Sequence, residues 1–278
     1  MMITSPDGTA LRVHSIGTGP GLVVVHGAMQ SGTSQLELAR LLADTRTVHL
    51  LDRRGRGGSA PAPGTSTEVD DLRAVLVETG ARDVLGISSG AIIAARTALA
   101  GGEVRRLALF EPPLAIGTSV RLDLLPLFDA ALDAGDVPRA MAIAMRLAEM
   151  GPPWMFRLPT ALLAAASRRM LTADDRTPLT AGRAHVRELA HALRADFAIV
   201  RENADRLEEL AAIDVPTLLL DGTATRPYLR AAVAGLARVI PGARHVELVG
   251  LNHAATQDRA ERGRPDLVAP VLREFFAA

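Results

Sequence analysis

The fold is decided by one short stretch, Gly86-Ile87-Ser88-Ser89-Gly90. Residues 82–85 before it form a short segment typical of a buried strand, and residues 91–99 after it are rich in alanine, the strongest helix former. The two glycines lack a Cβ and therefore permit a tight backbone turn with close packing of strand against helix. The pattern predicts a sharp strand-to-helix turn centred on Ser88. The same pattern also fits an ordinary turn with a structural serine near a helix N-terminus.

Two histidines follow predicted strands elsewhere in the chain. Residues 22–25 are apolar throughout, as in a strand of a parallel sheet, and run directly into His26-Gly27. Residues 244–249 form the last predicted strand, and the turn after it, Gly250-Leu251-Asn252-His253-Ala254, carries the second histidine. Because active sites of open parallel sheets form outside the carboxyl ends of the strands, both histidines are candidates for a site near Ser88.

These motifs, G-x-S-x-G, His-Gly after a strand and G-x-x-H-A after the last strand, resemble those of the α/β-hydrolase superfamily in their order and placement. The resemblance implies an α/β fold with a mostly parallel central β-sheet flanked by helices. It also implies that Ser88 is the nucleophile and His253 the catalytic base, while the N–H groups of Ala28 and Ser89 form an oxyanion hole. His26 is interpreted as a residue that shapes its loop, not as the base.

The acid of the expected triad departs from the common pattern of this superfamily. In many members the acid follows the strand that ends here at Asp221, but Thr225 occupies that position. Other members place the acid after the strand that follows the nucleophile helix, where this chain has Glu111. Because a threonine cannot stabilise an imidazolium as a carboxylate does, Glu111 is the predicted acid and Asp221 the second choice. Alternatively, Glu111 only anchors its loop or caps a helix.

Residues 114–210 show apolar residues at helical spacing and almost no strand pattern. We expect an all-helical cap inserted after the strand that ends at Phe110, with residues 1–113 and 211–278 forming the core. The predicted substrate contacts are Met29, Met145 and Trp154. Apolar cap residues of this kind can line an adaptable pocket, or they can serve only to pack the cap onto the core.

Residues 52–59 read D-x-x-G-x-G-x-S, a pattern that resembles a structural turn of the same superfamily. Three arginines lie within it. They are expected to form a solvated, locally paired loop, because no helix N-terminus with spaced glycines follows as an anion site would require.

The composition excludes several classes of chemistry. The 31 basic and 31 acidic residues give a net charge of zero, which predicts no nucleic-acid partner. There is no cysteine and no lysine, so a thiolate nucleophile, a disulfide and a lysine Schiff base are excluded. No metal site and no cofactor is predicted, because the seven histidines are scattered. The N-terminus lacks the features of a secretory signal and no run is long and apolar enough for a membrane span, so a cytoplasmic location is expected. The oligomeric state stays open.

Together these features predict a serine hydrolase that cleaves an ester, lactone or thioester of an apolar small molecule through an acyl-enzyme. A serine nucleophile argues against dehalogenases and epoxide hydrolases of this superfamily, which use an aspartate. Two alternatives stay open. One is a non-hydrolytic enzyme on the same fold, such as a lyase, perhydrolase or acyltransferase, and the other is a catalytically silent ligand-binding protein.

Overall fold

A computed structural model describes residues 1–61, 67–177, 179 and 184–277. Eight strands lie in this part of the chain: β1 (Met2–Thr4), β2 (Ala10–Ile16), β3 (Gly21–Val25), β4 (Thr47–Leu51), β5 (Asp83–Ile87), β6 (Arg106–Phe110), β7 (Thr217–Gly222) and β8 (Arg244–Leu248). They form one sheet in the order β1-β2-β4-β3-β5-β6-β7-β8. β2 is antiparallel to β1 and β4, whereas all pairs from β4 to β8 are parallel. The prediction of a mostly parallel sheet is confirmed.

Helices cover both faces of the sheet, because the central strands are apolar on both sides. In β3, Val23 and Val25 pack on the face covered by α2 (Glu68–Thr79), α3 (Ser89–Ala100) and α8 (Pro227–Val239). Leu22 and Val24 point to the opposite face, which α1 (Leu36–Leu42) and α9 (Pro265–Ala277) cover. The core is therefore two apolar layers with the sheet between them.

The ends of α2 follow from its sequence. Thr67 caps the helix by accepting a hydrogen bond from the backbone N–H of Asp70, whose carboxylate in turn accepts from the Thr67 backbone N–H. This reciprocal capping satisfies two amides that have no partner within the helix. Gly80 ends the helix with φ 66°, a left-handed conformation that glycine adopts without strain.

The segment between β6 and β7 is helical, as expected. It contains α4 (Leu125–Asp133), α5 (Val137–Leu147), α6 (Thr160–Asp174) and α7 (Val186–Glu202), and no strand among its described residues. Prolines occupy the first turns of α4 and α5, where their missing N–H costs nothing. α4 and α7 meet through Phe128 and Phe197, whose rings pack edge to face at a centroid distance of 5.0 Å. Residues 178 and 180–183 of the predicted 114–210 insertion lie outside the described residues.

The parallel strands β3, β5, β6, β7 and β8 present their carboxyl ends at one edge of the sheet. β3 ends before His26, β5 before Ser88, and β6 before Glu111. The loop after β8 carries His253. Because parallel strands present their carboxyl ends on the same side, residues distant in sequence converge there.

Candidate active site

Ser88 lies at the apex of the turn between β5 and α3 in a strained backbone conformation. Its φ of 54° and ψ of −126° are unusual for a residue with a side chain. A Cβ at Gly86 would lie 2.5 Å from the Cα of Ala91, and a Cβ at Gly90 would lie 2.3 Å from the carbonyl oxygen of Val25. Only glycine fits at these two positions, because strand and helix approach so closely. The tight packing offsets the strain and holds the Ser88 hydroxyl toward the carboxyl edge of the sheet.

His253 bridges Ser88 and Glu111. Its Nε2 lies 3.0 Å from the Oγ of Ser88, and its Nδ1 lies 2.5 Å from Oε2 of Glu111. A carboxylate at Glu111 accepts a hydrogen bond from the Nδ1–H of His253, and Nε2 is then the nitrogen that can accept the proton of the serine hydroxyl. The side chain of Glu111 is fully buried, whereas that of His253 is 39% exposed. The arrangement has the hydrogen-bond order of a nucleophile, a base and an acid that orients the base.

Glu111 is held by two further hydrogen bonds from the loop after β7. The backbone N–H of Gly222 donates to Oε1 at 2.7 Å, and the hydroxyl of Thr225 donates to Oε2 at 2.8 Å. Thr225, which occupies the position where many members of the superfamily carry the acid, thus supports a carboxylate that comes from the neighbouring strand. Both donors fix the orientation of the carboxylate toward His253.

Asp221, the second choice for the acid, is engaged elsewhere. Its Oδ1 lies 2.7 Å from Nε2 of His245, and its Oδ2 lies 3.4 Å from Nε of Arg230. The structure therefore pairs Asp221 with a different histidine and places Glu111 against His253.

The loop after β3 brings Ala28 beside the turn that carries Ser88. Among the described residues, the N–H groups of Ala28 and Ser89 have no backbone acceptor, and both residues line the cavity at Ser88. His26 is fully buried in this loop, where its Nδ1 donates to the carbonyl of Gly27 and its Nε2 accepts from the N–H of Arg53. Burial, followed by the nearby charge of Arg53, holds the pKa of His26 well below its ordinary value. The ring is therefore neutral and shapes the loop.

A cavity of about 360 Å³ opens above Ser88, and we refer to it as the Ser88 cavity. Its walls come from the strand-end loops below and the helical insertion above. The insertion contributes mainly apolar side chains: Val120, Leu147, Met150, Leu193, Phe197 and Val200. Met29 lines the cavity as predicted, whereas Met145 and Trp154 do not. Trp154 is 62% exposed in the surface segment Pro153–Arg157, and α5 meets the cavity at Leu147 instead of Met145.

A second depression adjoins the Ser88 cavity at His253, and we refer to it as the His253 groove. Its walls include polar groups absent from the Ser88 cavity, namely Glu149, Thr225, Arg226 and Asn252. His253 lines both spaces. His253 thus stands between a mainly apolar cavity and a more polar groove.

The arginines of residues 52–59 are paired as expected, but two of them are buried instead of solvated. Arg53 binds Glu68 at 2.6 Å and Asp196 at 2.7 Å, and Arg56 binds the other oxygen of Asp196 at 2.7 Å. The hydroxyl of Ser89 also donates to Asp196, at 2.7 Å. We refer to these five residues as the Arg53 cluster. It connects α7 of the insertion directly to the residue after Ser88.

Electrostatics favour the charged forms of Asp196 and Arg53 in the Arg53 cluster. Burial alone would raise the pKa of Asp196, but the charges of Arg56 and Arg53 hold it well below its ordinary value. Burial likewise opposes the charge of Arg53, yet Glu68 and Asp196 raise its pKa above the usual range. Asp196 was missed in the sequence, although one signal was present. It stands on the apolar face of α7, three residues after Leu193 and four before Val200.

One group with possible metal ligands occurs among the described residues, on the insertion. Asp174, Asp175 and His185 bring ligand atoms within 4.8 Å of one another. Their carboxylates already accept from protein donors, since Asp174 binds the N–H of Val186 and Asp175 binds Arg187. None of the three lines the Ser88 cavity. In the part of the chain described, no helix has both the length and the apolar character that crossing a bilayer requires.

Known proteins are similar to this chain in sequence and in fold. A family model described as the alpha/beta hydrolase family matches residues 22–269. Among solved structures, an alpha/beta hydrolase from Sphaerobacter thermophilus is 33% identical, with a TM-score of 0.79 and coverage of 99% of this chain and 100% of that one.

Two curated proteins are also similar along nearly the whole chain. A non-heme haloperoxidase from Rhodococcus erythropolis is 28% identical over 96% of this chain and 97% of its own length. Polyketide synthase ThaQ from Burkholderia thailandensis is 27% identical over 96% of this chain, but the match spans only 12% of the synthase. Because the family model covers most of the sequence and the Sphaerobacter structure matches end to end, the chain belongs to the alpha/beta hydrolase family.

Proposed function

We propose that this chain is a serine hydrolase that cleaves an ester, lactone or thioester bond of an apolar small molecule. One observation carries the proposal: Ser88, His253 and Glu111 form an unbroken hydrogen-bonded series at the base of an apolar cavity. Such a series activates a serine hydroxyl, which is a weak nucleophile on its own.

In the proposed reaction, His253 removes the hydroxyl proton of Ser88 through Nε2 while the serine oxygen attacks the substrate carbonyl. Glu111 holds the ring by Nδ1 and stabilises the imidazolium that forms. His253 then gives its proton to the leaving atom, which is the oxygen of an ester or lactone or the sulfur of a thioester, and an acyl-enzyme results. Water attacks this ester with His253 as the base, and the product acid leaves with Ser88 regenerated.

The N–H groups of Ala28 and Ser89 are the proposed oxyanion hole. Both lack a backbone acceptor among the described residues, so they are available to a developing negative charge. Ser89 is the first residue of α3, and the positive end of the helix dipole adds to its effect. Removal of one such donor typically costs about 2.7–4 kcal/mol of transition-state stabilisation.

The two spaces that meet at His253 suggest where the acyl group and the leaving group of the substrate bind. The leaving atom must lie within reach of His253 Nε2, so we assign the leaving group to the His253 groove. The acyl group then extends from Ser88 into the Ser88 cavity, away from the base. The proposed substrate therefore has a mainly apolar acyl group, and the insertion at residues 114–210 acts as the cap that encloses it.

Fluorophosphonate labelling followed by peptide mass spectrometry tests the proposal. We expect a label on Ser88 and hydrolysis of p-nitrophenyl esters, with both lost in Ser88→Ala. The matched control is Ser89→Ala, which keeps the backbone N–H and should still be labelled at Ser88. A folded wild-type protein that takes no label and cleaves no ester would exclude a serine hydrolase and favour the ligand-binding alternative.

The similarity to a non-heme haloperoxidase favours perhydrolysis as a second candidate. In that reaction hydrogen peroxide, in place of water, attacks the acyl-enzyme, and a peroxy acid leaves as Ser88 is regenerated. Peroxy-acid formation from an ester and hydrogen peroxide, compared with Ser88→Ala, measures this activity. A wild-type rate equal to that of the variant would exclude perhydrolysis and leave hydrolysis untouched.

A further inference from the structure

The side-chain amide of Gln30 has an orientation that its surroundings fix. The backbone N–H of Gly27 lies 3.0 Å from Oε1 of Gln30 and can only donate. Gln35 donates to the same oxygen from its own Nε2, at 2.9 Å. The acceptor end of the Gln30 amide is therefore occupied, and its NH₂ group must be the end that points away from Gly27.

This NH₂ group has no hydrogen-bond partner among the described residues, although Gln30 is only 7% exposed. Gln30 lines the Ser88 cavity together with Ala28 and Ser88. An amide donor that faces a cavity instead of a protein acceptor is usually satisfied by water or by a ligand.

The amide lies close to the reacting atoms. Its Oε1 binds Gly27, and a Cβ built on Gly27 would be 3.3 Å from the Ser88 Oγ. Because Gln30 lines the same cavity as Ser88 and its Oε1 is turned to Gly27, we place the NH₂ group at the wall of the Ser88 cavity. We assign the Ser88 cavity to the acyl group of the substrate, because the leaving group is assigned to the His253 groove.

Two other polar groups of the cavity are already engaged. Asp196 accepts hydrogen bonds from Arg53, Arg56 and Ser89 within the Arg53 cluster. The Tyr228 hydroxyl donates to the carbonyl of Ala148 at 3.3 Å. Gln30, by contrast, presents unused N–H groups in a mainly apolar space.

We propose that Gln30 is a specificity-determining residue whose amide N–H donates to an oxygen on the acyl group of the substrate, close to the scissile carbonyl. The substrate class is an ester or lactone of an alkoxy, hydroxy or oxo acid, otherwise apolar. This inference rests on the proposed serine hydrolase. A site built to hydrogen-bond a substrate group discriminates strongly against the analogue that lacks it, because the site's own polar group is then left unpaired.

A matched pair of substrates tests the donor. p-Nitrophenyl methoxyacetate differs from p-nitrophenyl butyrate by one ether oxygen in place of a methylene. The quantity to measure is the ratio of kcat/KM for the methoxyacetate to kcat/KM for the butyrate. Intrinsic reactivity of the two esters cancels when this ratio is compared between wild type and variants.

Gln30→Glu removes the donor and keeps an oxygen that can accept from Gly27. Gln30→Met removes the donor without adding charge, and it replaces Gln30→Glu in the test if that variant does not fold. In both we expect the ratio to fall by about tenfold or more, the effect typical of losing one hydrogen bond in an enclosed site. The butyrate alone should change less than the methoxyacetate.

Gln35→Met is the control, since it removes one hydrogen bond to Gln30 and leaves the Gln30 NH₂ group in place. Its ratio should equal that of wild type. Equal losses for the two esters in the Gln30 variants would overturn the inference, as would no loss for either, and the proposed hydrolase would stand in both cases. A wild-type protein that cleaves neither ester and takes no label at Ser88 would refute the hydrolase, and the inference with it.

Discussion

Glu111 reaches His253 because β6 and β7 are neighbours in the sheet. That adjacency also brings the N–H of Gly222 and the hydroxyl of Thr225 onto the Glu111 carboxylate. The position after β7 therefore supports the Glu111 carboxylate, although it carries no acidic side chain of its own. An acid supplied from one strand and supported from the next satisfies the same requirement, a fixed charge beside Nδ1 of His253.

The two candidate acids are distinguished by substitution with their amides. Glu111→Gln places an NH₂ or a neutral oxygen against Nδ1 of His253, so we expect kcat to fall about a thousandfold or more. Asp221→Asn, the matched change, disturbs the contacts with His245 and Arg230 and not His253, so it should change kcat little. Steady-state hydrolysis of p-nitrophenyl butyrate measures both, and the opposite ranking would refute Glu111 as the acid.

Thr225 contributes through its hydroxyl. Thr225→Val has nearly the same shape but cannot donate to Oε2 of Glu111, so we expect kcat to fall about tenfold, as for loss of a hydrogen bond to a charged group. Thr225→Ser keeps the hydroxyl, and its kcat should stay near that of wild type. If both variants retain full kcat, the Thr225 hydroxyl plays no part in orienting the carboxylate.

The sequence predicted the site residues that lie within a recognisable motif. It did not predict the residues that hold them in place. Ser88 and His253 stand in patterns that carry their own backbone geometry. Asp196 acts through contacts with residues distant in sequence, 143 positions away in the bond from Arg53. No local pattern encodes such a contact, because it depends on how the insertion packs onto the core.

At the scale of elements, α7 makes one buried set of ion pairs with the core and one exposed ion pair with α4 of the insertion. Asp196 of α7 binds the arginines of the Arg53 cluster with almost no exposure to solvent. On its other side, Arg194 binds Asp133 of α4, with side chains that are 48% and 68% exposed. Water screens the second pair and not the first.

Asp196→Asn should therefore destabilise the fold by about 3–5 kcal/mol, because it leaves buried guanidinium charges without their carboxylate. Asp133→Asn removes the exposed ion pair between Asp133 of α4 and Arg194 of α7. It should leave the free energy of unfolding nearly unchanged. Urea unfolding followed by circular dichroism measures both. Equal stabilities of the two variants would show that the Arg53 cluster contributes nothing net to holding α7.

The Arg53 cluster also predicts a dependence of stability on pH. The pKa of Asp196 is lowered in the folded chain, so the unfolded chain binds more protons below the ordinary value of 3.8. The stabilisation is therefore fully present above that pH and declines as pH falls below it, by about 1 kcal/mol at pH 3. The difference in unfolding free energy between wild type and Asp196→Asn should narrow by that amount between pH 7 and pH 3. A constant difference would contradict the assigned pairing.

At the scale of the whole molecule, the sheet and the insertion followed from the sequence. Apolar runs bounded by glycine and charged residues marked the parallel strands, and helical spacing marked the segment after Phe110. The cavity walls did not follow, because an amphipathic helix indicates which residues are buried and not what they are buried against. Trp154 illustrates this limit, since the largest apolar side chain of the insertion lies at the surface.

The volume of the Ser88 cavity predicts a chain-length profile. Each methylene of an acyl chain that enters an apolar cavity gains about 0.8 kcal/mol, or about fourfold in kcat/KM, until the space is filled. With about 360 Å³ available, we expect kcat/KM of p-nitrophenyl esters to rise from acetate through medium chains and then to fall. A flat profile would show that acyl chains do not occupy the cavity.

Leu193→Phe replaces an aliphatic side chain of α7 with a larger aromatic ring in the Ser88 cavity. The acyl chain length with the highest kcat/KM should therefore become shorter, while short esters are cleaved nearly as before. Trp154→Ala is the control. It removes a larger side chain from the same insertion, but one that does not line the Ser88 cavity, and its optimum should match that of wild type. A shift in Trp154→Ala without one in Leu193→Phe would mean that substrate contacts the segment Pro153–Arg157, as its composition suggested, and not the face of α7.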